Sequence, residues 1–199
     1  VANSLTNFVC QCHQLPKFVR QTRKVYNTPG HVHGLTFSCY HGLPLLSKDR
    51  TRGWMIESMQ KIRQQHAVDL LAFVLMPEHV HLLVRPRNPT YDMADIQKSL
   101  KQSVARKALA WLREHDPAFL SRLKGERAGQ RVRHHFWQPG GGYDRNIFEP
   151  TTLQHAVHYI HQNPVRRGLV TAAEDWRWSS ARQFAGLDNV LIEMDPLPL

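Results

Sequence analysis

The sequence predicts an α+β fold, in which helices pack against one small antiparallel sheet. Some segments carry apolar residues at helical spacing, whereas others are short apolar runs typical of strands. These segments alternate in the order strand, helix, strand, strand, helix, strand, helix, which favours a small α+β sandwich. With 199 residues, of which 42% are hydrophobic, the chain is long enough for one domain with a buried core.

Five elements are predicted before residue 115. Residues 31–40 (HVHGLTFSCY) are rich in β-branched and aromatic side chains and predict a first strand. Residues 52–65 and 92–114 each predict a helix, because their apolar residues recur at helical spacing. Between these helices, the apolar runs 70–76 and 79–84 are separated by a turn and predict two adjacent, largely buried antiparallel strands.

A strand and a helix are predicted nearer the C-terminus. Residues 143–148 predict a last strand, which follows three consecutive glycines that require a flexible turn. Thr151 or Thr152 predicts the cap of a helix over 153–162, and Pro164 stops that helix.

The two ends of the chain predict appendages. Residues 1–30 carry prolines among basic side chains without a clean period, and they predict a basic arm. Beyond residue 168 a Trp-rich piece (DWRWSS) leads into Pro-rich residues, so 186–199 predict a tail. The domain between them spans 31–185.

The charge of the chain predicts a nucleic-acid partner. Lys and Arg number 26 against 16 Asp and Glu, which gives a net charge of +10 at pH 7. Such an excess repels itself in a compact fold unless a polyanion neutralises it. A merely basic soluble protein also fits the charge. A membrane fits less well, because no stretch approaches the roughly eighteen apolar residues of a membrane span.

The cysteines indicate a reducing, cytoplasmic compartment. Cys10, Cys12 and Cys39 lack the spacing of a disulfide framework, and the N-terminal residues do not read as a signal peptide. Cys10, Cys12 and His13 lack a second ligand pair, so we interpret them as ordinary residues rather than a zinc site.

His79 and His81 are candidate metal ligands. They are two residues apart on a predicted strand, so both imidazoles leave the same face and can chelate one ion. The alternative is a pair of half-buried histidines with backbone partners. His31 and His33 form a second HxH pattern and show that the spacing alone is not specific. Two polar rings are unfavourable on an apolar central strand, and this favours a functional role for His79 and His81.

Tyr159 and Asn163 lie one turn apart on the last predicted helix and can offer a nucleophile and a metal ligand to one point. The alternative is a core tyrosine followed by an asparagine C-cap before proline, and the residues alone favour that alternative. A tyrosine hydroxyl titrates near about 10, so it attacks phosphate poorly without a base or a metal. Tyr91 and Tyr143 are rival nucleophiles.

Trp137 begins an aromatic, glycine-rich loop with basic residues on either side. Stacking on unpaired bases needs such residues. A buried core position fits Trp137 equally well, and the sequence leaves both roles open.

Four strings, MPEHVHLLV, FWQPGGGYDR, YIHQNPVRRGLV and DWRWSS, together resemble the REP-associated tyrosine transposases, which belong with the single-tyrosine HUH transposases. The resemblance covers about residues 31–185 and implies a ferredoxin-like or RNA-recognition-like sheet. It also implies that His79 and His81 bind the metal ion on a central strand, that Tyr159 is the nucleophile, and that Asn163 completes the metal site.

The resemblance implies cleavage and rejoining of single-stranded DNA by metal-assisted transesterification, through a 5′-phosphotyrosine. The ion implied is Mg²⁺ or Mn²⁺, although two histidines alone suit zinc or manganese better than magnesium. The DNA implied is a short palindromic repeat that folds into a hairpin, bound by a monomer or a homodimer. The long N-terminal extension and the string QPGGGYDR depart from the family pattern and concern the substrate rather than the chemistry.

Hairpin binding needs a basic surface for the stem and space for unpaired bases. Each basic candidate, taken singly, also fits a solvated surface charge. The predicted DNA contacts are Lys98, Lys101, Arg106, Lys107, Arg131, Arg133, Trp137, Arg166 and Arg167.

Two other functions fit parts of the sequence. A non-catalytic hairpin-binding module of the same fold is expected to have lost a ligand or the tyrosine, yet all four residues are present. A zinc hydrolase needs a third strong ligand and a carboxylate base. Glu78 could be that base, but the charge of +10 would then be unexplained.

Overall fold

The computed structural model describes residues 27–125 and 133–198. Its sheet has four antiparallel strands in the order β2-β3-β1-β4. The strands are β1 Val32–Ser38, β2 Val68–Leu75, β3 His79–Pro86 and β4 Tyr143–Ile147. This order, with a β-α-β-β-α-β sequence of elements, is that of a ferredoxin-like sheet, so the predicted fold class is confirmed. Most of the predicted basic arm lies outside the described residues.

The described residues form six α-helices. No helix in these two ranges combines the length and the apolar composition that crossing a membrane requires. The helices are α1 Asp49–Gln65, α2 Met93–His115, α3 Pro117–Ser121, α4 Pro150–His161, α5 Asn163–Arg166 and α6 Ala181–Phe184.

Proline explains the helix boundaries that the sequence did not predict. The helix α4 begins at Pro150, whose fixed φ suits a first turn, so the predicted cap at Thr151 or Thr152 is wrong. The short helix α3 lies outside the elements that the sequence predicts. It forms because Pro117 occupies its first turn and the Asp116 side chain accepts a hydrogen bond from the Phe119 amide.

Helices cover both faces of the sheet. The helices α1 and α2 pack on one face, against β-strand residues such as Leu35 and Leu82. The helix α4 packs on the other face, against residues such as Leu71 and Leu83. Because side chains alternate along β3, His79 and His81 lie on the same face as α4.

The C-terminal segment pairs with the outer strand β2. The Leu75 amide donates to the Trp178 carbonyl at 2.8 Å, and the Ser180 amide donates to the Phe73 carbonyl at 3.0 Å. Farther along, in the segment expected to be a tail, Ile192 is buried in the core. These contacts cover a strand edge that would otherwise present unpaired backbone groups.

Candidate active site

The imidazoles of His79 and His81 meet on the α4 side of the sheet. Their Nε2 atoms are 3.1 Å apart. Each ring is oriented by a partner on its other nitrogen: His79 Nδ1 lies 3.1 Å from Glu78 Oε1, and His81 Nδ1 lies 2.7 Å from Thr36 Oγ1. Such partners are usual for histidines that bind metal, and they direct both Nε2 atoms toward one point.

Burial keeps both histidines neutral near pH 7. Burial, together with smaller effects of the nearby charges of His79 and Arg166, lowers the pKa of His81 to about 4. Burial also lowers the pKa of His79, although Glu78 opposes that shift. A neutral imidazole offers the lone pair that metal binding requires.

Glu78 connects the histidine pair to the residues that follow α5. Its Oε1 accepts hydrogen bonds from Arg167 Nη1 at 2.7 Å and from His79 Nδ1. Burial raises the pKa of Glu78, but Arg167 and His79 together bring it below its ordinary value. The carboxylate is therefore ionised at neutral pH and holds His79 as the Nδ1–H tautomer, which leaves Nε2 free to bind a cation.

Tyr159 is 50% exposed on α4, so the alternative that it is a core aromatic is wrong. Its ring lies edge-on to that of His81, with 5.8 Å between centroids. The Arg166 guanidinium carbon is 4.0 Å from the centre of the Tyr159 ring, and Arg166 Nη2 donates to the Tyr159 carbonyl at 3.0 Å. The predicted nucleophile therefore lies beside the histidine pair and under a cation.

Asn163 is buried at the start of α5, and its Nδ2 donates to the Tyr159 carbonyl at 3.1 Å. This contact caps the last turn of α4, as the C-cap alternative expects. Among the described residues, the amide makes no hydrogen bond to His79 or His81, and no group of three or more His, Cys, Asp or Glu side chains could hold a metal ion. The role of Asn163 as a metal ligand stays a prediction.

A cavity of about 670 Å³, which we call the catalytic cavity, opens on this face of the sheet. Among its lining residues are His81, Tyr159, Tyr143 and Arg145. The structure thus brings the rival Tyr143 into the same cavity as Tyr159. Arg145 was not among the predicted site residues, although alternation along the predicted last strand puts it on the same face as Tyr143.

The second HxH pattern forms no metal pair. His33 is fully buried, with Nδ1 2.8 Å from Asp144 Oδ1 and Nε2 2.8 Å from the Tyr91 hydroxyl. His31 instead stacks on Phe148. Because Tyr91 contacts His33, it lies on the face covered by α1 and α2, away from His79 and His81.

Several of the predicted DNA-binding cations already have protein partners. Arg166 and Arg167 contact Tyr159 and Glu78, as described above, and Lys107 forms an ion pair with Glu57. Arg131 lies outside the described residues. Lys98, Arg106 and Arg133 are exposed, as are Arg166 and Arg167. Their contacts with DNA stay predictions.

Trp137 fits the core alternative. Its side chain is only 6% exposed, its Nε1 donates to the Lys101 carbonyl at 2.8 Å, and its ring packs edge-on against Phe37. Lys101 in turn donates from Nζ to the Gly140 carbonyl at 2.9 Å, and burial lowers its pKa. Only the part of the indole that lines a cavity beside α2 remains available to a base.

Comparison with known proteins places this geometry in a family context. The family model described as "Transposase IS200 like" matches residues 33–163. A curated protein of Haemophilus influenzae, named among the REP-associated tyrosine transposases, is 24% identical over 143 residues, which cover 68% of this chain and 76% of that protein. The solved structure of a REP-associated tyrosine transposase bound to a REP hairpin has a similar fold. It aligns with a TM-score of 0.62 and 21% identity, over 90% of this chain and 94% of that one.

Proposed function

Because the chain belongs to the IS200-like transposase family, we propose that it cuts and rejoins single-stranded DNA, with Tyr159 as the nucleophile and a divalent ion at His79 and His81. One observation carries the proposal: two Nε2 atoms 3.1 Å apart point to one position beside an exposed tyrosine. Two such atoms repel each other unless a proton or a cation lies between them.

The side chains present fit a divalent cation. His79 and His81 would supply nitrogen ligands, and Asn163 would supply Oδ1, because its Nδ2 is committed to the Tyr159 carbonyl. The ion we propose is Mg²⁺ or Mn²⁺, and the two imidazoles favour Mn²⁺ in affinity. When bound, the ion supplies positive charge that polarises the scissile phosphate and stabilises the transition state.

Tyr159 performs the covalent step. Its phenolic oxygen attacks phosphorus, the bond from phosphorus to the 3′ oxygen breaks, and the leaving 3′ oxygen gains the proton that the phenol loses. The 5′ end stays on the enzyme as a phosphotyrosine, and attack by another 3′-hydroxyl reverses the step without ATP. The Arg166 guanidinium over the Tyr159 ring provides a fixed cation near the developing charge.

The proposed substrate is a DNA hairpin with unpaired flanking nucleotides, as in repetitive palindromic sequences. A solved relative is bound to a REP hairpin. The net charge of +10 suits a phosphate backbone. The catalytic cavity is open to an unpaired strand, because Tyr159 is half exposed and Tyr143 is 55% exposed.

A covalent-adduct assay tests this function. The protein is incubated with a labelled REP-type hairpin and Mn²⁺, and the products are separated on a denaturing gel. We expect a covalent protein–DNA band from the wild type and from Tyr143→Phe, and none from Tyr159→Phe. Hairpin affinity should be nearly equal in all three, because only one hydroxyl is lost in each variant. Mass spectrometry that finds the DNA on Tyr143 would contradict the assignment of Tyr159.

His81→Ala separates catalysis from binding in the same assay. We expect cleavage to be abolished and hairpin binding to be nearly intact, because phosphate contacts dominate affinity. Equal loss of binding and cleavage would mean that His81 is structural. Tight hairpin binding by the wild type without any adduct would instead favour the non-catalytic binding module.

A further inference from the structure

A second cavity, of about 360 Å³, lies between α2 and the loop before β4, and we call it the α2 cavity. Trp137 contributes an apolar wall, Lys98 and Lys101 contribute positive charge, and Asp144 contributes a carboxylate. This volume is near the lower end of the roughly 300–1,000 Å³ of small-molecule sites. The cavity therefore suits one planar ring system and is too small for a hairpin stem.

Asp144 has an unused hydrogen-bond acceptor in the wall of the α2 cavity. Its side chain is 5% exposed, and its Oδ1 is 2.8 Å from His33 Nδ1. Its Oδ2 is buried and has no hydrogen-bond partner in the described part of the chain. A buried carboxylate oxygen without a donor is costly, so a ligand that supplies an N–H would remove that cost.

The carboxylate is held in place from behind by a chain of hydrogen bonds. The Tyr91 hydroxyl donates its one proton to the Thr28 carbonyl at 2.9 Å. His33 Nε2 must then donate to the Tyr91 oxygen, and one further proton lies between His33 Nδ1 and Asp144 Oδ1. The Oδ2 atom takes no part in this chain, so it remains an acceptor in every arrangement of these protons.

We propose that the α2 cavity binds one unpaired guanine of the DNA, with Asp144 Oδ2 as the acceptor. Guanine presents N1–H and the 2-amino group side by side, whereas adenine and cytosine present one amino group next to a ring acceptor. Thymine presents its single N–H between two carbonyls, which a carboxylate repels. Trp137 borders the base, and Lys98 is exposed toward the phosphates. This inference rests on the proposed function.

Adjacent residues of β4 connect the two cavities. Tyr143 lines the catalytic cavity, and Asp144, the next residue, lines the α2 cavity on the other face of the sheet. Since β4 is the outer strand on this side, a single strand of DNA can pass around its edge from one face to the other. A guanine held at Asp144 would then fix which nearby phosphate reaches Tyr159.

Fluorescence anisotropy with labelled thymine oligomers tests the inference. One oligomer is all thymine, the second carries a single central guanine, and the third carries inosine at that position, which lacks the 2-amino group. We expect the wild type to bind the guanine oligomer about tenfold more tightly than the all-thymine oligomer, because a hydrogen bond to a charged group is worth that much. Inosine should lose part of the gain, because it lacks the 2-amino group and keeps N1–H.

Two Asp→Asn variants complete the experiment. Asp144→Asn should lose the preference for guanine and bind the all-thymine oligomer about as tightly as the wild type, because the proton that Asp144 shares with His33 already balances its charge. Asp175→Asn, an exposed carboxylate outside both cavities, should keep the preference. The inosine comparison on the wild type needs no variant to fold.

Three results would overturn the inference. If the wild type binds all three oligomers equally, the guanine site is wrong and DNA binding stands. If Asp144→Asn is folded and keeps the preference, the acceptor is wrong. If the wild type binds no oligomer, the guanine site is wrong, and the hairpin adduct assay tests the proposed function separately.

Discussion

Arg167 Nη1 donates to Glu78 Oε1 at 2.7 Å, and this ion pair joins the residue after α5 to the turn that precedes β3. The same oxygen accepts from His79 Nδ1. The Glu78 carboxylate therefore has two roles. It orients the candidate metal ligand His79, and it binds Arg167 in the segment that follows the Tyr159 helix.

Glu78→Gln should weaken Mn²⁺ binding by roughly tenfold to a hundredfold, since loss of a partner behind a ligating histidine typically has that effect. Electron paramagnetic resonance of free Mn²⁺ measures the affinity without any DNA. Arg167→Ala should not weaken Mn²⁺ binding, because it removes a positive charge near the ion. Arg177→Ala, an exposed arginine outside the site, is the control. Unchanged Mn²⁺ affinity in Glu78→Gln would contradict the role of the carboxylate.

Hairpin binding should weaken steeply with salt, and a fully paired duplex of the same sequence should be neither bound tightly nor cut. The slope of log affinity against log salt is about −0.9 per phosphate contacted in a duplex stem and about −0.7 in a single strand. Arg106→Gln should therefore reduce the magnitude of the slope by about 0.7–0.9 if exposed Arg106 contacts one phosphate. Lys107→Gln should change it less, because Lys107 already pairs with Glu57. A salt-insensitive affinity would contradict the basic surface.

Gly142→Ala should destabilise the fold. Gly142 has φ of +77°, and a Cβ there would lie 2.5 Å from the Thr36 carbonyl oxygen, on the central strand β1. The positive φ alone costs about 1–3 kcal/mol in other residues, and the clash adds to it. Gly141→Ala is the matched control, because a Cβ at Gly141 meets nothing within 4 Å. Thermal unfolding of both variants measures the difference, and equal melting temperatures would contradict the close approach.

Stability should fall as the pH is lowered from 6.5 to 4, partly because of His161. Burial lowers the pKa of His161 from its ordinary 6.5 to about 4, with a further contribution from the charge of His158. The unfolded chain therefore takes up a proton over this range while the folded chain does not. At about 1.4 kcal/mol per pKa unit, the free energy of unfolding loses roughly 3 kcal/mol.

His161→Gln isolates that contribution, because His81 has a similar shift and remains in the variant. Denaturant unfolding at several pH values should show a shallower dependence for His161→Gln than for the wild type. His158→Gln, which changes an exposed residue of the same helix, should follow the wild type more closely. Parallel curves for His161→Gln and the wild type would contradict the assignment.

Local patterns in the sequence predicted the elements and the histidine pair. Two-residue alternation is a property of any strand, so His79 and His81 had to share a face wherever β3 was placed. Helical spacing of apolar residues likewise located α1 and α2 to within a few residues. The fold class followed from the order of these elements.

Contacts between distant segments could not be predicted in this way. Tyr143 lies in the catalytic cavity because β4 pairs with β1 in the register that puts Tyr143 opposite Thr36. Nothing in the local pattern fixes that register. Trp137 was left open for the same reason, because its burial depends on Phe37 and on α2, which are remote in sequence.

The C-terminal segment pairs with β2, so the folded domain extends beyond the residues that match the family model. The family match ends at residue 163, before any residue of DWRWSS. Yet Ser180 and Trp178 satisfy backbone groups of β2, and Asp195 donates its amide to the Leu70 carbonyl at 2.7 Å. A chain shortened to the shared region would keep His79, His81, Tyr159 and Asn163, but it would lose Arg166 and the partner of an edge strand. The residues after 163 are therefore part of the folded domain, although they lie outside the family match.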